Sequence, residues 1–162
     1  MGDPGERDAQ IRSAQEIALA FKDRPGALMP VLHAVQARLG YVPAHVVGAI
    51  AQALNLSRAE VHGVLTFYRD FRMRPPGRHI IRLCRAESCQ ALGSALLAAH
   101  VMGRLGVGFG ATTDDGGYSL EAVNCLGNCA CSPAMMIDEQ PYGRVTAQGF
   151  DRVMARLEGR EK

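Results

Sequence analysis

Apolar residues change their spacing near the middle of this 162-residue chain. Up to about Asp70 they recur every three or four positions, which is the spacing of amphipathic helices. Beyond the two prolines at 75 and 76, short runs typical of β-strands alternate with two helical runs. We therefore predict two units, an N-terminal helical bundle over residues 1–76 and a mixed α/β domain over residues 77–162.

The predicted bundle contains four short helices. Their apolar stripes cover residues 11–21, 27–39, 46–54 and 61–68. Gly40 ends the second helix, and Pro43 opens the third. At the start of the fourth, Ser57 and Glu60 form a capping box, in which the serine hydroxyl accepts from the Glu60 amide and the glutamate reaches back. Four antiparallel helices of this length predict a compact bundle.

Strands and two helices are predicted in the second unit. Strand-like runs occupy residues 77–83, 118–123, 134–138 and 142–145. Cys84 follows the first run and Cys125 the second, while an amphipathic helix lies between Cys89 and Leu105. With a last helix that contains Phe150 and Leu157, this is a reduced thioredoxin-like pattern. The expected fold class is α+β, a four-helix bundle followed by a thioredoxin-like domain whose cysteine pairs meet at one sheet edge.

Composition and charge narrow the function classes. A hydrophobic fraction of 48% suffices for a buried core, and a net charge of +2 with interspersed signs gives no electrostatic footprint of a nucleic-acid binder. No apolar run reaches the length of a membrane span, and residues 1–8 lack the apolar core of a signal peptide. We expect a cytoplasmic protein with no direct membrane insertion.

Four of the five cysteines form two close pairs. Four residues separate Cys84 from Cys89, and three separate Cys125 from Cys129. Each iron of a 2Fe-2S cluster takes two protein sulfurs, so two pairs at strand ends match one such cluster. The fifth, Cys131, alternates with Cys129, and in an extended segment the two would point to opposite sides. We therefore expect only one of these two cysteines to face the iron.

Other chemistry fits the sequence less well. Structural zinc tolerates both cysteine spacings and stays open as an alternative, whereas disulfides are disfavoured in a chain without an export signal. The glycine-rich stretch over residues 106–110 follows a helix and lacks the full dinucleotide-binding pattern. His62 is expected to be a packing residue. No nucleophile triad, carboxylate pair or phosphate loop is evident, so no catalytic residue is expected on this chain.

Segments in both halves resemble one known family. The cysteine-bearing ones are CRAESC at residues 84–89 and CLGNCACSP at residues 125–133; the helical ones cover residues 26–36, 40–42 and 61–68. All resemble the thioredoxin-like 2Fe-2S ferredoxins, which include the 24 kDa subunit of respiratory complex I and small subunits of soluble NAD-linked hydrogenases and formate dehydrogenases. Within that family, residues 84–93 are most similar to the gamma subunit of soluble NAD-dependent, molybdenum-containing formate dehydrogenases.

This resemblance implies a ligand set and a set of partners. The 2Fe-2S ligands would be Cys84, Cys89, Cys125 and Cys129, with Cys131 outside the set. The chain would pass single electrons as a subunit of an NAD-dependent formate dehydrogenase, next to a flavin subunit that carries FMN and the NAD(H) site and, through it, a molybdenum subunit. The helical unit is our candidate for the docking element, because a cluster domain needs no four-helix appendage merely to hold iron. Alternatives are the equivalent subunit of complex I or of a bidirectional hydrogenase, or a freestanding redox-sensing or zinc-binding module.

Overall fold

The protein, described over residues 4–159 by a computed structural model, divides into two compact units. The boundary between them lies between Pro75 and Pro76. Over residues 4–75 the first unit has helices and no strand, and over residues 76–159 the second combines helices with one five-stranded sheet. The expected α+β class is thus confirmed.

The first unit consists of four α-helices, with a single 3-10 turn before the third. Their bounds are α1, Pro4–Phe21; α2, Leu28–Leu39; α3, Val47–Leu54; and α4, Arg58–Phe67. Helix α2 ends at Gly40, whose φ of 82° is left-handed and whose amide donates to the Gln36 carbonyl. The predicted capping box starts α4, with the Glu60 amide 3.1 Å from Oγ of Ser57 and the Ser57 amide 2.8 Å from the Glu60 carboxylate. One apolar core, which includes Phe71, joins the four helices.

Over residues 76–159, the second unit contains five strands and three α-helices. The strands are β1, His79–Cys84; β2, Ala111–Thr112; β3, Tyr118–Val123; β4, Met135–Ile137; and β5, Gln140–Tyr142. The helices are α5, Glu87–Ala91; α6, Ser94–Leu105; and α7, Ala147–Leu157. The single helix predicted from Cys89 to Leu105 is wrong in one respect, because Gly93 adopts a φ of 89° and divides it into α5 and α6. The last strand also ends earlier than residue 145.

Sheet topology fixes where the cysteines lie. The strand order is β2-β3-β1-β4-β5, with β1 and β3 parallel and every other pair antiparallel. Parallel strands end at the same edge of a sheet, and an antiparallel neighbour begins there. The register matches Cys84 with Val123 and Leu83 with Met135. The ends of β1 and β3 and the start of β4 therefore share one edge, with an apolar core around Phe150 and Leu120 behind it.

Candidate metal centre

Three neighbouring segments bring the predicted cysteines together at this edge. Cys84 is the last residue of β1, Cys125 lies two residues beyond β3, and Cys129 opens a 3-10 turn that precedes β4. The Cys84 amide donates to the Ala134 carbonyl at 3.1 Å, which joins the end of β1 to the segment before β4. Cys89 comes from the short helix α5. The sheet edge thus gathers all four cysteines that the sequence singled out.

The four thiols are arranged as two pairs. Sγ of Cys125 lies 4.0 Å from Sγ of Cys129, and the thiols of Cys84 and Cys89 share a hydrogen bond. The pairs also interact with each other, since Cys84 and Cys89 both raise the pKa of Cys129. Among residues 4–159, no group of three or more His, Cys, Asp or Glu side chains is gathered around a point that would hold a single metal ion.

One pair is buried and the other is exposed. The side chains of Cys84 and Cys89 are 2% and 1% exposed, and they pack with Ala134 in a small cluster of their own. Cys125 and Cys129 are exposed to solvent. A group held by all four sulfurs would therefore have one end inside the protein and the other at its surface.

Backbone amides are directed at the sulfurs. The first cysteine of each pair accepts from the amide two residues further on: Cys84 from Ala86, and Cys125 from Gly127 at 3.3 Å. Gly127 has a φ of 73°, a left-handed conformation that an L side chain rarely adopts. The Leu126 amide crosses to Cys84. These donors stabilise thiolates, which are the metal-binding form of cysteine.

The same contacts move the thiol pKa values in different directions. Burial raises the pKa of Cys84, although the amides of Ala86 and Leu126 work against it. At Cys89 burial also acts to raise the pKa, but hydrogen bonds from the Ser132 hydroxyl, the Ala134 amide and the Cys84 thiol outweigh it, so the pKa falls below its ordinary value. The neighbouring thiol of Cys125 raises the pKa of Cys129. Of these three thiols, Cys89 is the one whose surroundings favour loss of the proton.

Cys131 lies against a different neighbour. A Cβ at Gly143 would stand only 2.5 Å from Cβ of Cys131, and the Cys131 carbonyl accepts from the Arg144 amide at 2.6 Å. The expected alternation along an extended segment is wrong, because Cys129–Cys131 is a 3-10 turn. Contact with the segment after β5, rather than strand alternation, is what holds Cys131 in its place.

Two serines at the site were missed by the sequence analysis. Oγ of Ser132 lies 3.3 Å from Sγ of Cys89 and 2.9 Å from Oγ of Ser88. Both serines also approach the Cys129 carbonyl. Their closeness to cysteines in the sequence was a weak signal, because it does not show which serines turn toward sulfur. Only the fold brings residues 88 and 132 into contact.

Two other features that the sequence singled out lie outside the cysteine site. The glycine-rich residues 106–110 connect α6 to β2, and His62 is exposed on α4. In the part of the chain that the structure describes, no helix combines the length and apolar character needed to cross a membrane.

The donor set fits a 2Fe-2S cluster, since four thiols stand in two pairs and amides already approach the sulfurs. Similarity to known proteins points the same way. The family model for thioredoxin-like [2Fe-2S] ferredoxin matches residues 14–158.

Relatives of similar length are found in several bacteria. The chain is 37% identical over 134 residues to the E subunit of NADH-quinone oxidoreductase from Pseudomonas aeruginosa, covering 83% of this chain and 81% of that protein. It is 35% identical to the E subunit of the same enzyme from Escherichia coli strain K12, covering 84% and 82%. It is 31% identical to HndA, a subunit of the NADP-reducing hydrogenase of Solidesulfovibrio fructosivorans, covering 89% and 84%.

A solved structure shares the fold. The crystal structure of an NAD+-reducing [NiFe]-hydrogenase in the air-oxidized state superposes with a TM-score of 0.68 at 23% identity. The match covers 83% of this chain but only 23% of the hydrogenase chain, so the protein spans about a quarter of that longer polypeptide. Because the family model matches residues 14–158 and the relatives are 31–37% identical, the chain belongs to the thioredoxin-like [2Fe-2S] ferredoxin family.

Proposed function

We propose that this protein transfers single electrons through one 2Fe-2S cluster, as a subunit of an NAD-linked oxidoreductase. The proposed ligands are Cys84, Cys89, Cys125 and Cys129. The observation that carries the proposal is the pairing of these thiols at one sheet edge, with backbone amides directed at the sulfurs. When bound, a 2Fe-2S cluster supplies a one-electron redox centre whose potential depends on sulfur hydrogen bonds and exposure.

The two ends of the site have different roles, because one is anchored inside the protein and the other is exposed at its surface. Strand β1 and the buried pair fix one end to the centre of the sheet, where Cys84 is 2% exposed. The loop over residues 125–129 presents the other end at the surface. A redox group on a partner protein could therefore approach Cys125 and Cys129 without any rearrangement of the sheet.

The two-pair arrangement favours a cluster over structural zinc. A structural zinc ion takes four ligands tetrahedrally around one centre, with sulfurs about 2.3 Å from the metal. Here, the close Sγ–Sγ approach and the shared hydrogen bond each lie within a pair. Two irons, each taking one pair, match that division.

A flavin subunit is the proposed partner. The relatives at 31–37% identity are named as subunits of NADH-quinone oxidoreductases and of an NADP-reducing hydrogenase. Those names tie the relatives to NADH- and NADP-linked complexes, and the family resemblance implies a neighbouring subunit that holds FMN and NAD(H). Hydride transfer would then belong to that partner, and this chain would provide electron transfer with no substrate site of its own.

For the parent complex we propose a molybdenum-containing, NAD-dependent formate dehydrogenase. The support is the resemblance of residues 84–93 to the gamma subunit of those enzymes. Complex I or an NAD-linked hydrogenase is the second candidate, favoured by the names of the relatives. Subunits that co-purify with this chain decide between them: a molybdenum protein with formate-dependent NAD+ reduction supports the first, and quinone- or hydrogen-linked subunits support the second.

The helical unit is the proposed docking element. A groove of about 730 Å³ lies between the loop after α1, the end of α3 and helix α4, and its lining is mainly apolar. Phe67 lines it and is 77% exposed, and Tyr68 beside it is 44% exposed. Lys22 and Arg24 stand at the same groove. We expect the flavin subunit to cover this surface, since large exposed aromatic side chains are typical of interfaces.

The decisive experiment is spectroscopic. We expect anaerobically purified protein to show visible absorption and, after dithionite reduction, a rhombic one-electron EPR signal at low temperature. Cys→Ser changes at any of the four proposed ligands should disturb that signal, while Cys131→Ser, the matched control, should leave it largely intact. Colourless protein with one zinc per chain would refute the proposal.

A further inference from the structure

A buried serine hydroxyl lies against one of the proposed ligand sulfurs. Oγ of Ser132 is 3.3 Å from Sγ of Cys89, and the two residues are 8% and 1% exposed. The same oxygen lies 2.9 Å from Oγ of Ser88 and 3.0 Å from the Cys129 carbonyl oxygen. Ser132 thus touches both halves of the site.

Counting protons shows what this arrangement can do. A serine hydroxyl has one proton to donate. While Cys89 is a thiol, its S–H can donate to Ser132, and Ser132 can donate to the Cys129 carbonyl. A cysteine that binds iron has no proton, so the contact at 3.3 Å can persist as a hydrogen bond only if Ser132 is the donor.

Ser88 makes that reversal possible. Its Oγ lies 3.3 Å from the Cys129 carbonyl oxygen, the same acceptor that Ser132 uses. When the Ser132 proton turns toward sulfur, Ser88 can take over the bond to this carbonyl. Each hydroxyl then donates one hydrogen bond and the carbonyl keeps a donor, while the 2.9 Å contact between the two serine oxygens carries no proton.

We propose that Ser132 donates a hydrogen bond to the iron-bound sulfur of Cys89, and that Ser88 positions it by taking the Cys129 carbonyl. Together they raise the reduction potential of the centre. This inference rests on the proposed function, since it requires a 2Fe-2S cluster on Cys89. The Ala134 amide also donates to this sulfur, so Ser132 would be a second donor there, from a side chain.

The direction of the effect follows from charge. Reduction adds negative charge that is shared by the ligand sulfurs, so a donor hydrogen bond is stronger in the reduced state than in the oxidised state. The low exposure of both residues reduces screening by water. Removing the hydroxyl should therefore make the protein harder to reduce.

The test is a redox titration of the full-length protein followed by EPR. In Ser132→Ala, we expect the reduced-to-oxidised ratio at a fixed potential to fall about tenfold, equivalent to a midpoint about 59 mV lower for one electron. Ser132→Thr keeps the hydroxyl and should match wild type. Ser88→Ala leaves Ser132 divided between sulfur and carbonyl, so we expect a smaller shift in the same direction.

A matched control separates this effect from general loss of a buried hydroxyl. Ser119 is 6% exposed, and its Oγ bonds to the Gly77 amide and the Thr112 hydroxyl, both at 2.7 Å. Ser119→Ala should alter stability without moving the midpoint. A wild-type EPR signal with an unchanged midpoint in Ser132→Ala overturns the inference and leaves the proposed function standing.

Loss of the cluster signal, in wild type or in Ser132→Ala, also has a defined meaning. Wild-type protein without a cluster signal refutes the proposed function, and the inference falls with it. If Ser132→Ala does not hold a cluster, Ser88→Ala decides alone: a lowered midpoint supports the role of the two serines, and a midpoint equal to that of wild type overturns it.

Discussion

Replacing Gly143 by alanine tests the packing behind the candidate metal centre. The added Cβ would lie 2.5 Å from Cβ of Cys131 and 3.0 Å from its carbonyl oxygen. Non-bonded carbons rest about 3.5–4.0 Å apart. Because a Cβ cannot rotate away from its own backbone, either the turn Cys129–Cys131 or the segment after β5 must move by about 1 Å.

The expected cost is that of overpacking a closely packed site. Forced backbone shifts of this kind cost about 1–3 kcal/mol, or about 5- to 150-fold in the ratio of folded to unfolded protein. We expect a value in the upper half of this range, since Cys131 offers a Cβ and a carbonyl oxygen, neither of which can swing aside. Partial loss of iron should accompany it, because the turn that must move carries Cys129.

Urea unfolding of the loaded protein, followed by visible absorption, measures the effect in the cysteine-bearing unit alone. Gly103→Ala in α6 is the control: an added Cβ there meets nothing within 4 Å, and alanine favours the helix by about 1 kcal/mol. Combining Gly143→Ala with Cys131→Gly removes the Cβ that causes the closer of the two clashes, so the two changes should be coupled by at least about 1 kcal/mol. A Gly143→Ala protein as stable as Gly103→Ala, with no such coupling, would refute the reasoning.

Three further predictions concern other parts of the fold. Ser57→Ala removes the capping box and should cost the helical unit about 1 kcal/mol, measured by urea unfolding with circular dichroism; an unchanged midpoint would contradict it. Although burial acts to raise the pKa of Asp138, hydrogen bonds from an imidazole and a backbone amide hold it below its usual range. The stability lost in Asp138→Asn should therefore be largest near neutral pH and shrink below about pH 4, which urea midpoints across pH would show. Phe67→Ser should weaken co-purification with the proposed flavin subunit without lowering the thermal midpoint, while Leu19→Ser, at a 47% exposed position outside the groove, should leave co-purification unchanged; equal binding by both variants would remove the groove from the interface.

Features that depend on local chemistry were predictable from the sequence. Helical periodicity located all four helices of the first unit, and the Ser57–Glu60 capping box began α4 as expected. The runs leading into Cys84 and Cys125 identified the two parallel strands β1 and β3. Each of these signals is contained within a few consecutive residues, which is why no knowledge of the fold was needed to find it.

Features that depend on the completed fold were not predictable. Strand β2 has only two residues, too few to show alternation, and the break at Gly93 interrupts a stripe that reads as continuous. The contact of Cys131 with Gly143 and that of Ser132 with Cys89 join residues 12 and 43 positions apart. Such contacts arise only after the sheet has formed, so no local pattern encodes them.

The unequal burial of the two cysteine pairs bears on how the proposed cluster would be inserted. The inner pair is fixed by the sheet, since Cys84 ends a strand that is hydrogen-bonded on both sides. The outer pair lies in a loop that is open to solvent. In the folded chain the site is therefore already formed and is open to solvent on one side, so a maturation factor can insert the proposed cluster from outside. Chelators and oxidants reach the same exposed side, so damage to the cluster should begin at Cys125 and Cys129 and proceed toward the buried pair.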